Sequence, residues 1–339
     1  MKVAVVGGGI FGATTAAIFA RAGHLVDLYE KHDNLLHGAT RANQGRLHHG
    51  YHYPRSPALN LSEHAAGFSE MYPEAVVAGT QNYYCIAAAD SKVSGPDYLD
   101  FCDRNGLSYE TTKPEQVHGD AIDVCVRVPE AFIDVVALRE LVLRELAQRN
   151  VTIHFGSEVD SRKLDGYDWI VNATYGRDWH SPLRYEVCET AVIALDQSFA
   201  KKSFVVMDGP FISLDPIAGQ DCHMLYDVVH SVHAHNVGLV PEIPTNLAAL
   251  VDRGPVATPL TRVADMLRTA RRFLDNLTDV EYRGSYFTVR AVLPNVEGTD
   301  ERPTLIRRDG SHISILSGKV DMAPWAAART LELATDTTA

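Results

Sequence analysis

The stretch Lys2–Lys31, KVAVVGGGIFGATTAAIFARAGHLVDLYEK, can be read with almost no tertiary information. Val3–Val6 is an unbroken apolar run rich in β-branched residues, the pattern of a strand covered on both faces of a parallel sheet. Gly7, Gly9 and Gly12 follow as GxGxxG. The first glycine permits a tight turn, the second lets backbone approach a pyrophosphate, and the third lets helix and strand pack closely. Small residues from Thr14 to Ala22 continue as a helix whose N-terminus offers free N–H groups and positive dipole to a phosphate. Leu25–Tyr29 is a second strand, and Glu30 at its end is placed to accept hydrogen bonds from ribose hydroxyls. Strand, glycines, helix, strand and terminal acid together predict a dinucleotide-binding unit, with Ile10 and Phe11 in the phosphate turn.

Composition narrows the classes around that unit. The chain has 339 residues, 46% hydrophobic and 22% charged, which fits a soluble globular protein of two domains or one domain with an inserted lobe. A net charge of −12 argues against a nucleic-acid surface, which needs clustered Lys and Arg. No apolar run reaches the roughly 18 to 20 residues of a membrane span, and MKVAVVGGG lacks the longer core and cleavage site of a signal peptide. Five scattered cysteines without CxxC spacing predict neither a disulfide framework nor a zinc knuckle, and a cytoplasmic location.

After Glu30 a nicotinamide enzyme would run on into further βα units. Instead comes ATRANQGRLHHGYHYPRSP (Ala39–Pro57), crowded with polar rings. Beyond it lie strand-like segments, QNYYCIAAAD and KKSFVVMDGPFISLDP. A helical stripe (Leu138, Leu141, Val142, Leu146) then marks Ile133–Gln148, and VTIHF follows as a strand leading to Glu158 and Val159. YDWIVNATYG is a strand ending in a small-residue turn around Ala173, Thr174 and Gly176. Near the end, Ile313–Leu316 reads as a strand, Ser317-Gly318 as a turn and Ala323–Leu333 as a helix pointing its N-terminus back at that turn.

This order of motifs resembles the D-amino acid oxidase superfamily of FAD-dependent oxidoreductases, which includes glycine, sarcosine and L-2-hydroxyglutarate oxidases. The resemblance rests on GGGIFG with Glu30, on NQGRLHHGYHYP, on the NATYG turn and on LSGK with the final helix. Asn43, Gly45, His48, Gly50 and Tyr53 fit the segment of the 2-hydroxyglutarate group, although His52 stands where that group tends to have tyrosine. The resemblance implies non-covalent FAD, held by the glycine turn and Glu30. It also implies contacts from Thr40, Arg41, Asn43, Gln44 and Gly45 along phosphate and ribityl, from Val159, Ala173, Thr174 and Gly176, and from Gly318, Lys319 and Val320. His48, His52 and Tyr53 would wall the substrate chamber.

Other readings stand beside these. His48, His49 and His52, or His230, His233 and His235, could ligate a metal, but no acid or cysteine sits at a supporting spacing, and no metal is expected. Arg290 would hold a substrate carboxylate or make a surface ion pair, with Arg46 and Arg55 as alternatives. Lys319 would lie by the flavin or serve as a solvated cation. Pro259–Leu277 reads as a helix with Leu260, Val263, Leu267, Leu274 and Leu277 inward and its arginines solvated.

The expected fold is α/β: a Rossmann-like FAD-binding domain (1–78, 132–190 and 295–339) with an inserted β-rich, α+β substrate domain (79–131 and 191–294). The expected chemistry is oxidation of the C–N bond of an amino acid or N-substituted amino acid, by hydride transfer to flavin N5 and hydrolysis of the imine. Oxygen or a quinone would take the electrons. A 2-hydroxy acid oxidase is the alternative substrate class, and an NAD(P)-dependent dehydrogenase the alternative of another kind.

Overall fold

The computed structural model describes residues 1–55, 61–294 and 302–336. The opening strand, Lys2–Val6, lies in the middle of a six-stranded sheet ordered Leu305–Asp309, His312–Leu316, Trp169–Asn172, Lys2–Val6, Leu25–Tyr29, Thr152–His154. All neighbours are parallel except the Leu305–Asp309/His312–Leu316 pair. Val3, Ala4 and Val5 are fully buried, as a strand covered on both faces requires.

The helix after the glycine turn spans Ile10–Arg21 and so begins before Thr14, with nine buried residues. Its smallness has a steric reason. A Cβ on Gly12 would lie 1.9 Å from the Gly7 carbonyl oxygen, and one on Gly7, at φ +104°, would lie 2.6 Å from the Ala173 carbonyl oxygen. Strand turn, helix and the Ala173 turn therefore meet backbone to backbone. The helix Ala323–Thr335, which buries Ala323, Ala326, Ala327, Thr330 and Ala334, packs on the same helix.

A second, nine-stranded sheet is mixed. Its order is Val232–Gly238, Leu183–Ala194, His223–Asp227, Ile212–Pro216, Lys202–Met207, Gln81–Ala87, Ile122–Val128, Glu110–Thr111, with Glu281–Val292 also paired to Leu183–Ala194. The strand Leu183–Ala194 belongs to this sheet from its first residue. The position 295 lies outside the described residues.

Two expected helices are shorter than the segments read for them. Ile133 belongs to a two-residue strand, Phe132–Ile133, paired with Val76–Val77. The helix runs Val135–Gln148, because Asp134 caps it by accepting from the amides of Val136 (2.9 Å) and Ala137 (3.0 Å). The segment Pro259–Leu277 is helical only over Val263–Ala270. At one end the Arg262 amide is diverted to Glu189 (2.9 Å), and at the other the Asp275 amide goes to the Gln116 carbonyl (2.8 Å). Leu260 is 37% exposed, while Leu274 and Leu277 reach the core from turns. Among the described residues no helix is long and apolar enough to cross a membrane.

Candidate active site

Two cavities meet between the sheets. The first, of about 270 Å³, lies over the carboxyl ends of the parallel strands. Gly7, Gly9, Ile10 and Phe11 form its floor, and Glu30 closes one side. The Glu30 carboxylate is held by the amides of Gly8 (2.6 Å) and His32 (2.9 Å), which fixes its orientation and leaves lone pairs for a hydroxyl donor. The helix start carries no acid and no side-chain bond from its N-cap residue, so its amides after that of Ile10 remain available to an anion. Thr40 reaches it with its hydroxyl, accepting from the Ile10 amide at 3.2 Å. A Cβ on Gly9 would meet only that hydroxyl, at 3.6 Å, so the space in front of the turn is open.

The far wall is built by Asn172, whose side chain accepts from the Thr174 amide (3.0 Å) and donates to the Arg177 carbonyl (2.9 Å). This folds the turn that brings Ala173, Thr174 and Tyr175 to the cavity. Tyr175 sits at φ +59°, a conformation that is strained for a bulky side chain. Val159, Asn43, Ser317, Gly318 and Val320 also line it. Gly318 is sterically obligatory, because a Cβ there would fall 2.2 Å from the Arg302 carbonyl oxygen. An elongated trough with a fixed acid at one end and an open helix N-terminus in its floor fits an adenine dinucleotide.

The second cavity, about 820 Å³, shares Ala39, Asn43, Tyr175, Thr288, Gly318 and Val320 with the first. His48, His52, Tyr53 and Arg290 all line it, as does Lys319. Arg290 stands directly opposite Glu186 in the strand register and donates to it through Nε (2.8 Å) and Nη2. Burial alone would raise the Glu186 carboxyl, but Arg290 and Arg184 outweigh it and hold it below the usual range. Among the described residues Nη1 of Arg290 has no protein acceptor.

His48 is enclosed between Lys319, whose Nζ lies 3.3 Å from its Nε2, and His52, whose ring meets it edge-on at 6.0 Å. Burial, then Lys319, His52, Arg46 and Arg302, drive its pKa well below the ordinary histidine value, so the ring is neutral. Lys319 also lies 4.5 Å over the Tyr53 ring. Two acids grip successive amides of this segment: Asp321 takes that of His48 and Glu130 that of His49, both at 2.8 Å. Burial pushes the Asp321 carboxyl up to about 7.

Several expected contacts are not made. Arg41 turns away from both cavities and lies 5.6 Å over the Tyr286 ring. Gly45, at φ +70°, packs against Ile133, where a Cβ would meet its carbonyl oxygen at 2.9 Å. Gly12 and Gly176 also sit behind the lining, spacing helix and strand rather than facing a ligand. Gln44 faces the second cavity and donates to Ser213. Of the alternative arginines, Arg46 is buried with Glu130 and Asp215, and Arg55 pairs with Asp208. His233 donates to Glu189 at 2.7 Å, away from His48 and His52. No group of three or more possible ligands converges among the described residues.

The residues that sequence reasoning missed are Arg184 and Glu186. Their signal was present: two charges at i and i+2 share one face of LRYEVCETAVIA, a strand otherwise apolar enough to be buried.

A family model described as DAO, FAD dependent oxidoreductase, matches residues 2–318. The chain is 26% identical to the FAD-dependent monooxygenase FPY4 of Fusarium mangiferae, over 99% of this chain and 91% of that protein. It is 27% identical to the FAD-dependent monooxygenase kojA of Aspergillus flavus, over 99% and 86%. Glycine oxidase from Geobacillus kaustophilus shares the fold with a TM-score of 0.70 at 14% identity, over 99% of this chain and 95% of that one.

Proposed function

Because the chain belongs to the DAO family of FAD-dependent oxidoreductases, we propose that it oxidises the C–N bond of a carboxylate-bearing amine, an amino acid or N-substituted amino acid, in the second cavity. In this reading the lobe expected over 1–78, 132–190 and 295–339 holds FAD without a covalent link, except that Leu183–Ala194 pairs wholly within the second sheet, which moves the boundary expected at 190 back to 183; 79–131 with 191–294 form the rest of the substrate lobe. Bound FAD supplies the hydride acceptor, with oxygen or a quinone as the final oxidant.

One observation carries the substrate class. The second cavity is lined by seven Lys and Arg (Arg46, Arg55, Lys92, Arg184, Arg290, Arg302, Lys319) against three acids (Glu186, Asp208, Asp215). The whole chain has the opposite balance, 31 against 43. A cationic chamber in an acidic protein selects an anion.

Arg290 is the anchor of that anion. Glu186 takes Nε and Nη2 and fixes the plane of the guanidinium, while Nη1 remains for a substrate carboxylate. The surrounding cations disfavour an ammonium ion, so a bound amine is held in its neutral form, from which hydride can leave. The proton that the amine loses on entering this form goes to solvent, because the cations that disfavour an ammonium also keep His48 neutral; His48, with His52 and Tyr53 beside it, positions the neutral amine. The imine formed hydrolyses to a carbonyl compound and a free amine.

Anaerobic titration of the purified flavoprotein tests this. Loss of the visible flavin band with N-alkyl amino acids is the expected result; loss only with 2-hydroxy acids would overturn the amine assignment. A second reading, monooxygenation, is favoured by the names of the two fungal relatives. Incorporation of labelled oxygen from dioxygen into an intact product would establish it in place of C–N cleavage.

A further inference from the structure

At the mouth of the chamber the chain does something that solubility does not ask for. Val228 and Val229 line the cavity and are each 52% exposed. They sit at the tip of a turn locked by Asp227, whose Oδ1 accepts from the amides of Val229 and His230, both at 2.8 Å. Ser231 closes it, donating its amide to the Asp227 carbonyl and accepting the Asp227 amide, both at 3.0 Å. The Val228 amide is tied to Phe211 (2.9 Å), so the two valines are held in place beside the Asp208–Pro210 rim. Among the described residues these two are the exposed large apolar side chains that line this cavity.

We infer that the substrate is an amphipathic carboxylate, with its acid held inside at Arg290 and an apolar arm running out to Val228 and Val229. Its acid end rests on the reading proposed above; its arm rests on the rim alone. Val205 and Met207, on the sheet face that also carries Ser203, and Val292 line the same cavity and give it an apolar share of wall beside the cations. Each methylene laid along that wall leaves water.

Two series on the holoenzyme test this. Straight-chain carboxylates from propanoate to octanoate carry no amine, and their binding reads out as a shift of the flavin spectrum. Their Kd falls about twofold to fourfold per added methylene, the upper value being complete burial. N-methyl- to N-pentylglycine gain in apparent affinity with the same slope in anaerobic bleaching. In the variant Val228→Ser/Val229→Ser the slope for the longest members flattens.

A Kd that is flat or rises with chain length overturns the arm, whether or not any amine is oxidised. Carboxylates that tighten with length, in a protein that no N-alkylglycine bleaches, support the arm and overturn the amine reading. An unchanged slope in the double variant moves the arm away from the rim and overturns the assignment of these valines.

Discussion

The two cavities are lined by different kinds of atom. The first is walled by backbone: glycines that admit no Cβ, helix amides, and a carboxylate pinned by two N–H groups. The second is walled by ionised side chains that hold one another in position, Arg46 with Glu130 and Asp215, Arg290 with Glu186. A backbone site recognises what its ligands share, namely phosphates and hydroxyls. A side-chain site recognises a particular substrate and can change without disturbing the fold. The contrast predicts that errors in the first cavity are steric and total, and errors in the second electrostatic and graded.

The largest effect is therefore expected at Gly12→Val. A side chain 1.9 Å from the Gly7 carbonyl separates helix from turn, and the protein should purify without flavin absorbance. A yellow, folded variant would break the comparison. Next comes Arg46→Met. Removing the cation from a pair of buried acids should cost about 3–5 kcal/mol in denaturant unfolding. Arg290→Ala should raise KM for an acid substrate roughly 10- to 100-fold with FAD retained, the scale of one charge-assisted hydrogen-bonded contact. An unchanged KM would move the carboxylate elsewhere in the chamber.

Asp321 sharpens the contrast through pH. Its folded pKa, about 7, lies above the ordinary carboxylate range, so the folded state binds this proton more tightly than the unfolded state. The resulting stabilisation is full below the unfolded pKa and declines as pH rises towards 7. Asp321→Asn should flatten that decline in unfolding midpoints measured across this window. Glu189 has the opposite sign. Burial would raise it, but His233, Ser285 and Thr261 together hold it low, so its contribution is lost as pH falls. The smallest effect belongs to Arg127→Gln, which breaks an exposed pair with Glu110 and should change stability by less than about 1 kcal/mol.

The same contrast explains what could be read beforehand. The nucleotide end was legible because its geometry is local: strand, glycines, helix and Glu30 lie within thirty residues, and spacing alone sets their placement. Asn43, Ala173 and Gly318, named through the resemblance, line the first cavity. Arg41 and Gly45 were misplaced because, once the polar segment bends, neighbours in sequence face opposite ways: Gln44 enters the chamber and Gly45 backs onto Ile133. The partners of Arg290 and Arg46 were not legible, since Glu186, Glu130 and Asp215 reach them only through strand pairing and sheet packing. The helix ends at Asp134 and Arg262 were set by caps and by Glu189, which an apolar stripe does not record.

The central place of the opening strand has a consequence for how the protein is made. Lys2–Val6 is synthesised long before one of its two neighbours, Trp169–Asn172, which arrives more than 160 residues later, and the wall containing Gly318 comes later still. A strand that is apolar from Val3 to Val6 must wait with one edge open, a state prone to aggregation. Cofactor loading can begin only when synthesis has passed Gly318, so recombinant yield should depend on chaperone supply and on slower translation more than on flavin added to the medium.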